Sequence, residues 1–205
     1  MKENRSFSKK VTLWTRQDIK SLWDIKMQGV YRVKREYIEK QFEDIANHYV
    51  KLYKWFTDVA SKRVPKPLEV EFPIWCSISE ENMLRPIENT VVYVLEIYEE
   101  EVIYFDGGKW DYVLNHIYIP KSEEDEEQYM EDIRKKGFKD EFSFIEGKYS
   151  KHYPLEKKRV MESWMRIFEI EDWNIFRVQA NIWEIRPEMI KDIIYHSEKE
   201  KIVKE

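Results

Sequence analysis

Apolar residues change their spacing several times along the chain, and each change predicts an element. Residues 11–15 alternate as a short strand, after which Ile19, Leu22, Trp23 and Met27 recur at helical spacing, with Gly29 as the stop. The strongest signal spans 35–61, where Ile38, Phe42, Ile45, Tyr49, Leu52, Phe56 and Val59 repeat every ~3.5 residues and predict one long amphipathic helix. Pro65 and Pro67 end it, because proline has no amide donor and drives the preceding residue into extended geometry. Residues 70–79 set Phe72, Ile74, Cys76 and Ile78 against Glu71, Trp75, Ser77 and Ser79, a strand pattern, and 82–89 read as a polar loop. Two β-branched and aromatic stretches, 91–98 and 102–105, predict strands joined or bent at Glu99–Glu101.

The second half is punctuated by caps. Asp106 precedes Gly107, Gly108 and a helix marked by Trp110, Leu114 and Ile117, where it can accept from exposed amides. Ser122 caps the next helix, whose first turn is acidic from Glu123 to Glu127, and Gly137 closes it. Residues 138–153 are aromatic and without period, a mobile flap, before Pro154 opens a helix with Val160, Trp164, Ile167 and Phe168 inward. Residues 176–185 predict the last strand, with Phe176, Val178, Ala180 and Ile182 on one side and Arg177, Gln179, Asn181 and Trp183 on the other. A final amphipathic helix is expected from Pro187 through Met189, Ile190, Ile193 and Ile194.

The phrases around Trp14 and Trp183 each read as a strand running into a helix, near opposite ends of the chain. Together these elements predict one α+β domain over 1–197, a mixed or antiparallel sheet with helices packed on its faces. The first and last strands are expected side by side, 120–153 form an excursion, and 198–205 fray.

Composition narrows the function without naming it. A chain of 205 residues can bury roughly 70% of its unfolded surface, and with 42% hydrophobic residues it has the material for a core. Net charge is −5 with both signs interspersed, so general affinity for nucleic-acid phosphate is not expected. The richest basic stretch, 148–159, contains Glu156 and reads as loop and helix surface. No apolar run of ~18 residues predicts a membrane span, and the lone Cys76 reads as a buried hydrophobe in a reducing compartment; a soluble, cytoplasmic protein is expected.

Chemical motifs are sparse. His48, His116, His152 and His196 lack a second His or Cys at i+3 or i+4, so no metal site is called, and the acidic run at 123–127 lacks the EF-hand spacing. Gly107 and Gly108 alone do not make a phosphate loop. The polar row of the late strand, Arg177, Gln179 and Asn181 with Glu184 beyond, either meets solvent or lines a cleft, because unbonded polar groups on a buried face are costly. Thr15 and Arg16 from the first strand and Ser77 and Ser79 from the 70–79 strand could join that row.

Leu13-Trp14-Thr15-x-Gln17, Pro73-Ile74-Trp75, Val94-Leu95-Glu96 with the Asp106 turn, Trp110 to Asn115, Ser163-Trp164-x-x-Ile167-Phe168 and Gln179-Ala180-x-x-Trp183-Glu184 resemble a bacterial family known as domain of unknown function 3841. A more distant likeness, carried by 14–16, 75–79 and 179–190, is to the ADP-ribosyltransferase fold. That resemblance implies Arg16 on the phosphates of NAD, Ser77 or Ser79 on the nicotinamide ribose, and Glu184 at the acidic position, with Gln179 as its alternative occupant. No Glu-x-Glu or Gln-x-Glu pair stands in the late strand, so an oxocarbenium-like transition state would lack its usual charge partner.

Two functions are carried forward. One is a cleft for a nucleotide-like or NAD-derived ligand, with or without ADP-ribosyl transfer, using Gln179 and Glu184 as catalytic candidates and Thr15, Arg16, Ser77, Ser79, Asp106 and Trp183 as ligand contacts. The other is a non-catalytic module that grips another protein through aromatics such as Trp75, Trp110 or Tyr149, for example in stress or phage defence. Convergence of Arg16, Ser77, Gln179 and Glu184 on one hollow is the observation that separates them.

Overall fold

The computed structural model describes residues 9–196, so the expected frayed tail lies outside the described residues. The fold is α+β, built on a six-stranded sheet whose hydrogen-bonded order is β4-β5-β2-β1-β3-β6. The strands are β1 (Lys10–Asp18), β2 (Ile74–Ser77), β3 (Thr90–Tyr98), β4 (Ile103–Asp106), β5 (Val178–Ile182) and β6 (Ile190–Tyr195). The registered pairs β1–β2, β1–β3, β2–β5 and β3–β6 are all antiparallel. The chain separates into two compact units, one running to Tyr104 and resuming at Asn174, the other Phe105–Trp173. No helix among the described residues is long and apolar enough to cross a membrane.

In the first unit, Leu13, Ile74, Cys76, Tyr93, Leu95, Ala180 and Ile182 face one side of the sheet and form the main apolar cluster with Ile25, Tyr31 and Met189. Helix α1 (Ser21–Gln28) covers this side. Its inward residues are Ser21 and Ile25, whereas Trp23 and Met27 are 63% and 60% exposed, which corrects the expected stripe. Both pairs have i, i+4 spacing, so spacing alone cannot choose between them; the Ser21 hydroxyl, 2.7 Å from the buried Tyr93 hydroxyl, marks the face that packs. Gly29 ends α1 at φ +73°, a left-handed conformation that glycine adopts without a Cβ penalty, and donates to Ile25 O.

The long helix expected over 35–61 is broken. It consists of α2 (Arg35–Phe42), a 3₁₀ turn at Glu43–Ile45 with Glu43 at φ +45°, and α3 (Ala46–Ala60). The break lets the Phe42 ring stack on Tyr49 at 3.6 Å and closes a second cluster around Ile38, Val50 and Phe72. From α3, Tyr53 and Phe56 pack on Trp75, on the side of β2 opposite Ile74 and Cys76.

Three strand expectations change. β1 is longer than 11–15 because nine consecutive residues find partners on β3. β2 and β5 are shorter than the 70–79 and 176–185 stretches. Instead of the final helix, a 3₁₀ turn at Pro187–Met189 leads into β6, which pairs with β3. A register shift between Val94 and Leu95 leaves Ile190 opposite Leu95 and Ile193 opposite Tyr93. The bulge therefore creates the i, i+3 spacing that imitates a helix face.

The second unit begins at the end of β4. The Asp106 carboxylate caps α4 (Gly107–Leu114) by accepting the Lys109 amide at 3.0 Å, and Ser122 caps α5 (Glu123–Lys135) by accepting the Asp125 amide at 3.2 Å. Residues 138–153, expected to be irregular, contain α6 (Phe142–Ile145), and Phe138, Phe144 and Ile145 are buried. Phe138 meets Phe144, Tyr149 and Tyr153 edge to face, a small aromatic cluster that organises the segment. Helix α7 (Pro154–Ser163) then passes into a 3₁₀ turn with buried Trp164, whose indole N–H donates to Ile117 O at 2.9 Å.

Candidate ligand site where the sheet divides

β1 is registered with β3 along its whole length but with β2 through one pair, Trp14 opposite Ser77. Where the ladder stops, side chains take over from backbone. The Thr15 hydroxyl donates to Trp75 O at 2.7 Å, the Gln17 amide donates to Thr15 Oγ1 at 2.7 Å, and the Tyr31 hydroxyl donates to Gln17 Oε1 at 2.8 Å. This chain satisfies a carbonyl that a parting sheet would otherwise bury without a donor. Burial pushes the Tyr31 phenol well above its usual range, so it remains a neutral donor. Burial likewise pushes the Cys76 thiol up to about 12 despite its contact with Thr15, which removes it as a thiolate nucleophile near neutral pH. Gln17 and Tyr31 were not among the expected site residues, although Gln17 stands in the Leu-Trp-Thr-x-Gln phrase.

On the other face, cross-strand pairing assembles the polar row. Ser77 lies opposite both Trp14 on β1 and Gln179 on β5, and Arg16 follows Trp14 by two residues, so Arg16, Ser77 and Gln179 share one face of three adjacent strands. Asn181 lies two residues beyond Gln179 on that face, fully buried, its amide donating to Ile74 O at 3.1 Å while its Oδ1 has no partner. The 79–89 loop is fastened to this row. Arg16 donates to Arg85 O at 3.1 Å, the Ser77 hydroxyl to Asn82 O at 3.0 Å, and Ser79 Oγ accepts the Asn82 amide at 3.2 Å. The Asn82 side chain reaches Ile175 O and Phe176 O.

Glu184 does not belong to that row. It follows the end of β5 by two residues, is 8% exposed, and accepts from Arg32 Nε at 2.9 Å and Nη2 at 2.8 Å and from Arg186 Nη1 at 3.1 Å. Arg186 also bonds Glu101 and Glu188, each at 2.8 Å. Burial disfavours the Arg186 charge, but those three carboxylates outweigh it and raise its pKa. Beside them is a hollow of about 100 Å³ lined by Pro65, Trp183, Glu184 and Met189, with the Trp183 indole N–H donating to Val64 O at 3.0 Å. That volume is below the ~300–1,000 Å³ of small-molecule sites.

The expected site residues therefore fall into three places. Arg16, Ser77, Ser79 and Gln179 gather where the sheet divides, while Thr15, expected to join them, lies there on the opposite face with Cys76 and Tyr93; Trp183 and Glu184 stand past the far end of β5; Asp106 caps α4 in the second unit. The first strand is not beside β5, since β2 lies between them, and the true last strand is β6 on the outside of β3. Of the aromatics expected to grip a partner, Trp110 is buried, Trp75 packs on Tyr53 and Phe56, and Tyr149 is exposed.

The chain belongs to the family described as Domain of unknown function (DUF3841), which matches residues 12–191. No curated protein and no solved structure matches it.

Proposed function

We propose that this DUF3841 protein binds a nucleotide-like, NAD-derived ligand at the parting of β1 and β2, with Arg16, Ser77 and Gln179 as its polar contacts. The supporting observation is the register that gathers these three side chains from strands far apart in the chain; Glu184, the fourth residue expected to converge with them, lines a separate hollow, so the reading rests on these three alone. Their chemistry suits such a ligand: a guanidinium donates to phosphate oxygens, a hydroxyl serves a ribose, and a carboxamide can pair with another carboxamide. The unpartnered Oδ1 of Asn181 adds an acceptor on the same face. Ligand entry exchanges the bonds that Arg16 and Ser77 make to the 79–89 loop, so that loop acts as the cover.

Recognition is the activity this geometry favours. Gln179 supplies no charge to an oxocarbenium-like transition state, and Glu184 is engaged by two guanidinium groups. ADP-ribosyl transfer would require Glu184 to leave Arg32 and Arg186.

Thermal melts with NAD and ADP-ribose test the reading. At a ligand concentration about 100 times Kd the stabilisation is about 2.7 kcal/mol, a rise in Tm of roughly 5–11 °C. Arg16→Ala and Gln179→Ala should remove that rise while retaining the unliganded Tm to within a few degrees. No rise with either ligand at millimolar concentration refutes the reading.

A second reading has its own observation. Leu84 and Ile87 are exposed on the fastened 79–89 loop, and Phe176, whose carbonyl accepts from Asn82, is exposed as well. Apolar side chains on a held backbone suit capture of another protein. Leu84→Ser with Ile87→Ser should then abolish co-purification of that partner without changing Tm.

A further inference from the structure

The second unit contains a cavity of about 410 Å³, within the range of small-molecule sites. Tyr118 and Tyr129 line it with their rings stacked at 4.0 Å. Tyr129 is 1% exposed, and its hydroxyl faces the Glu141 carboxylate and has no other hydrogen-bond partner. Glu141 also lines the cavity and is 7% exposed; its side chain accepts from the Tyr118 amide at 3.2 Å and is approached by the Tyr129 hydroxyl, whose pKa it helps burial to raise. Among the described residues no lysine or arginine forms an ion pair with Glu141. A carboxylate this buried is stable when it is paired with a cation, and one backbone amide and one phenol leave part of its acceptor capacity unmet and its charge uncompensated.

The neighbouring cations are committed elsewhere. Arg159 lies over the faces of Tyr118 and Tyr129 and bonds Asp132 at 2.9 Å, and Arg166 lies over Tyr118 and donates to Ile119 O. Asp125 is occupied by the Tyr118 hydroxyl and the Lys121 amide, both at 2.9 Å. Around the cavity Glu126 and Asp140 add negative charge against Lys139 alone, while Phe142 presents an exposed ring. A buried carboxylate without a cation, a phenol oxygen beside it with lone pairs to offer, an excess of negative charge and an aromatic lining together select a cationic nitrogen on an apolar stem. The aromatic lining argues against a bare divalent ion, which takes six or more oxygens.

We propose that this cavity binds a small organic cation, an alkylammonium or alkylguanidinium, whose N–H groups bond Glu141 and the Tyr129 hydroxyl while its stem lies against Phe142. The proposal is independent of the reading at β1 and β2.

Calorimetric or NMR titration of the full chain with butylammonium, butylguanidinium and the neutral n-butanol tests it. Saturable one-to-one binding of a cation is expected, at least tenfold tighter than the alcohol. Glu141→Gln should weaken it by about tenfold or more while the Tm stays level or rises, because a neutral amide no longer buries charge. Tyr129→Phe should weaken it severalfold, and Asp140→Asn, an exposed change that leaves the core intact, should weaken it by a smaller factor. Blocked lysine and arginine amides form the comparison arm; tighter binding of these than of the alkyl cations overturns a free small molecule as the occupant. The proposal also fails if no cation binds at about 10 mM, if cation and alcohol bind alike, or if Glu141→Gln binds as the parent does.

Discussion

Replacing Glu184 with glutamine distinguishes a structural acid from a catalytic one. In the folded protein its two oxygens accept three guanidinium N–H bonds, two from Arg32 and one from Arg186. Losing one member of a fully buried ion cluster costs about 3–5 kcal/mol, and an exposed pair is worth about 0–1 kcal/mol. The Glu184 side chain is 10% exposed, but the arginines are 30% and 32% exposed, so water screens part of the interaction. An intermediate loss of about 2 kcal/mol follows, which for a chain of this length lowers Tm by roughly 4–8 °C. Scanning calorimetry at neutral pH measures it, and added salt should narrow the difference because the arginine ends of the cluster are accessible to ions. A Tm within about 1 °C of the parent, together with lost NAD turnover, would refute the structural assignment and return Glu184 to the reacting centre.

Other outcomes follow from the same geometry. The Asp125 carboxyl is held below its ordinary 3.8, burial being outweighed by the Lys121 amide and the Tyr118 hydroxyl. Its stabilisation is therefore complete above the unfolded value and is lost as the pH falls through the lower folded one; Asp125→Asn should flatten the decline of Tm between about pH 5 and about pH 2. Trp23→Ser should change stability by less than about 0.5 kcal/mol, whereas Ile25→Ala on the inward face should cost about 2–4 kcal/mol in chemical denaturation, and the reverse order would overturn the assigned face of α1. Cys76, buried with its thiol near 12, should resist a maleimide in the native protein and react only on unfolding; rapid native labelling would contradict its burial.

Part of the candidate site was legible from residue type alone. Arg16, Ser77 and Gln179 stood out as polar side chains interrupting strand patterns, which burial makes costly unless they bond to something. Glu184 carried the same signal, yet its two arginines come from Arg32, far off in sequence, and Arg186, so composition could not tell a catalytic acid from a pinned one. The Tyr31–Gln17–Thr15 chain was hidden for a similar reason: nothing in the order of residues says that Tyr31 returns to the end of β1.

What the amino-acid sequence determined by itself was local. Gly29 ends α1, Asp106 and Ser122 cap α4 and α5, and the β-branched stretch before Glu99 is a strand, because each depends on backbone groups within a few residues. Tertiary structure decided whatever had two local solutions of similar energy. Ile190 and Ile193 fit a helix face as well as a bulged strand until β3 offered an open edge, and 35–61 fit one helix until Phe42 found Tyr49. The same long-range pairing set β2 between β1 and β5, parted the sheet, and brought Arg16, Ser77 and Gln179 together.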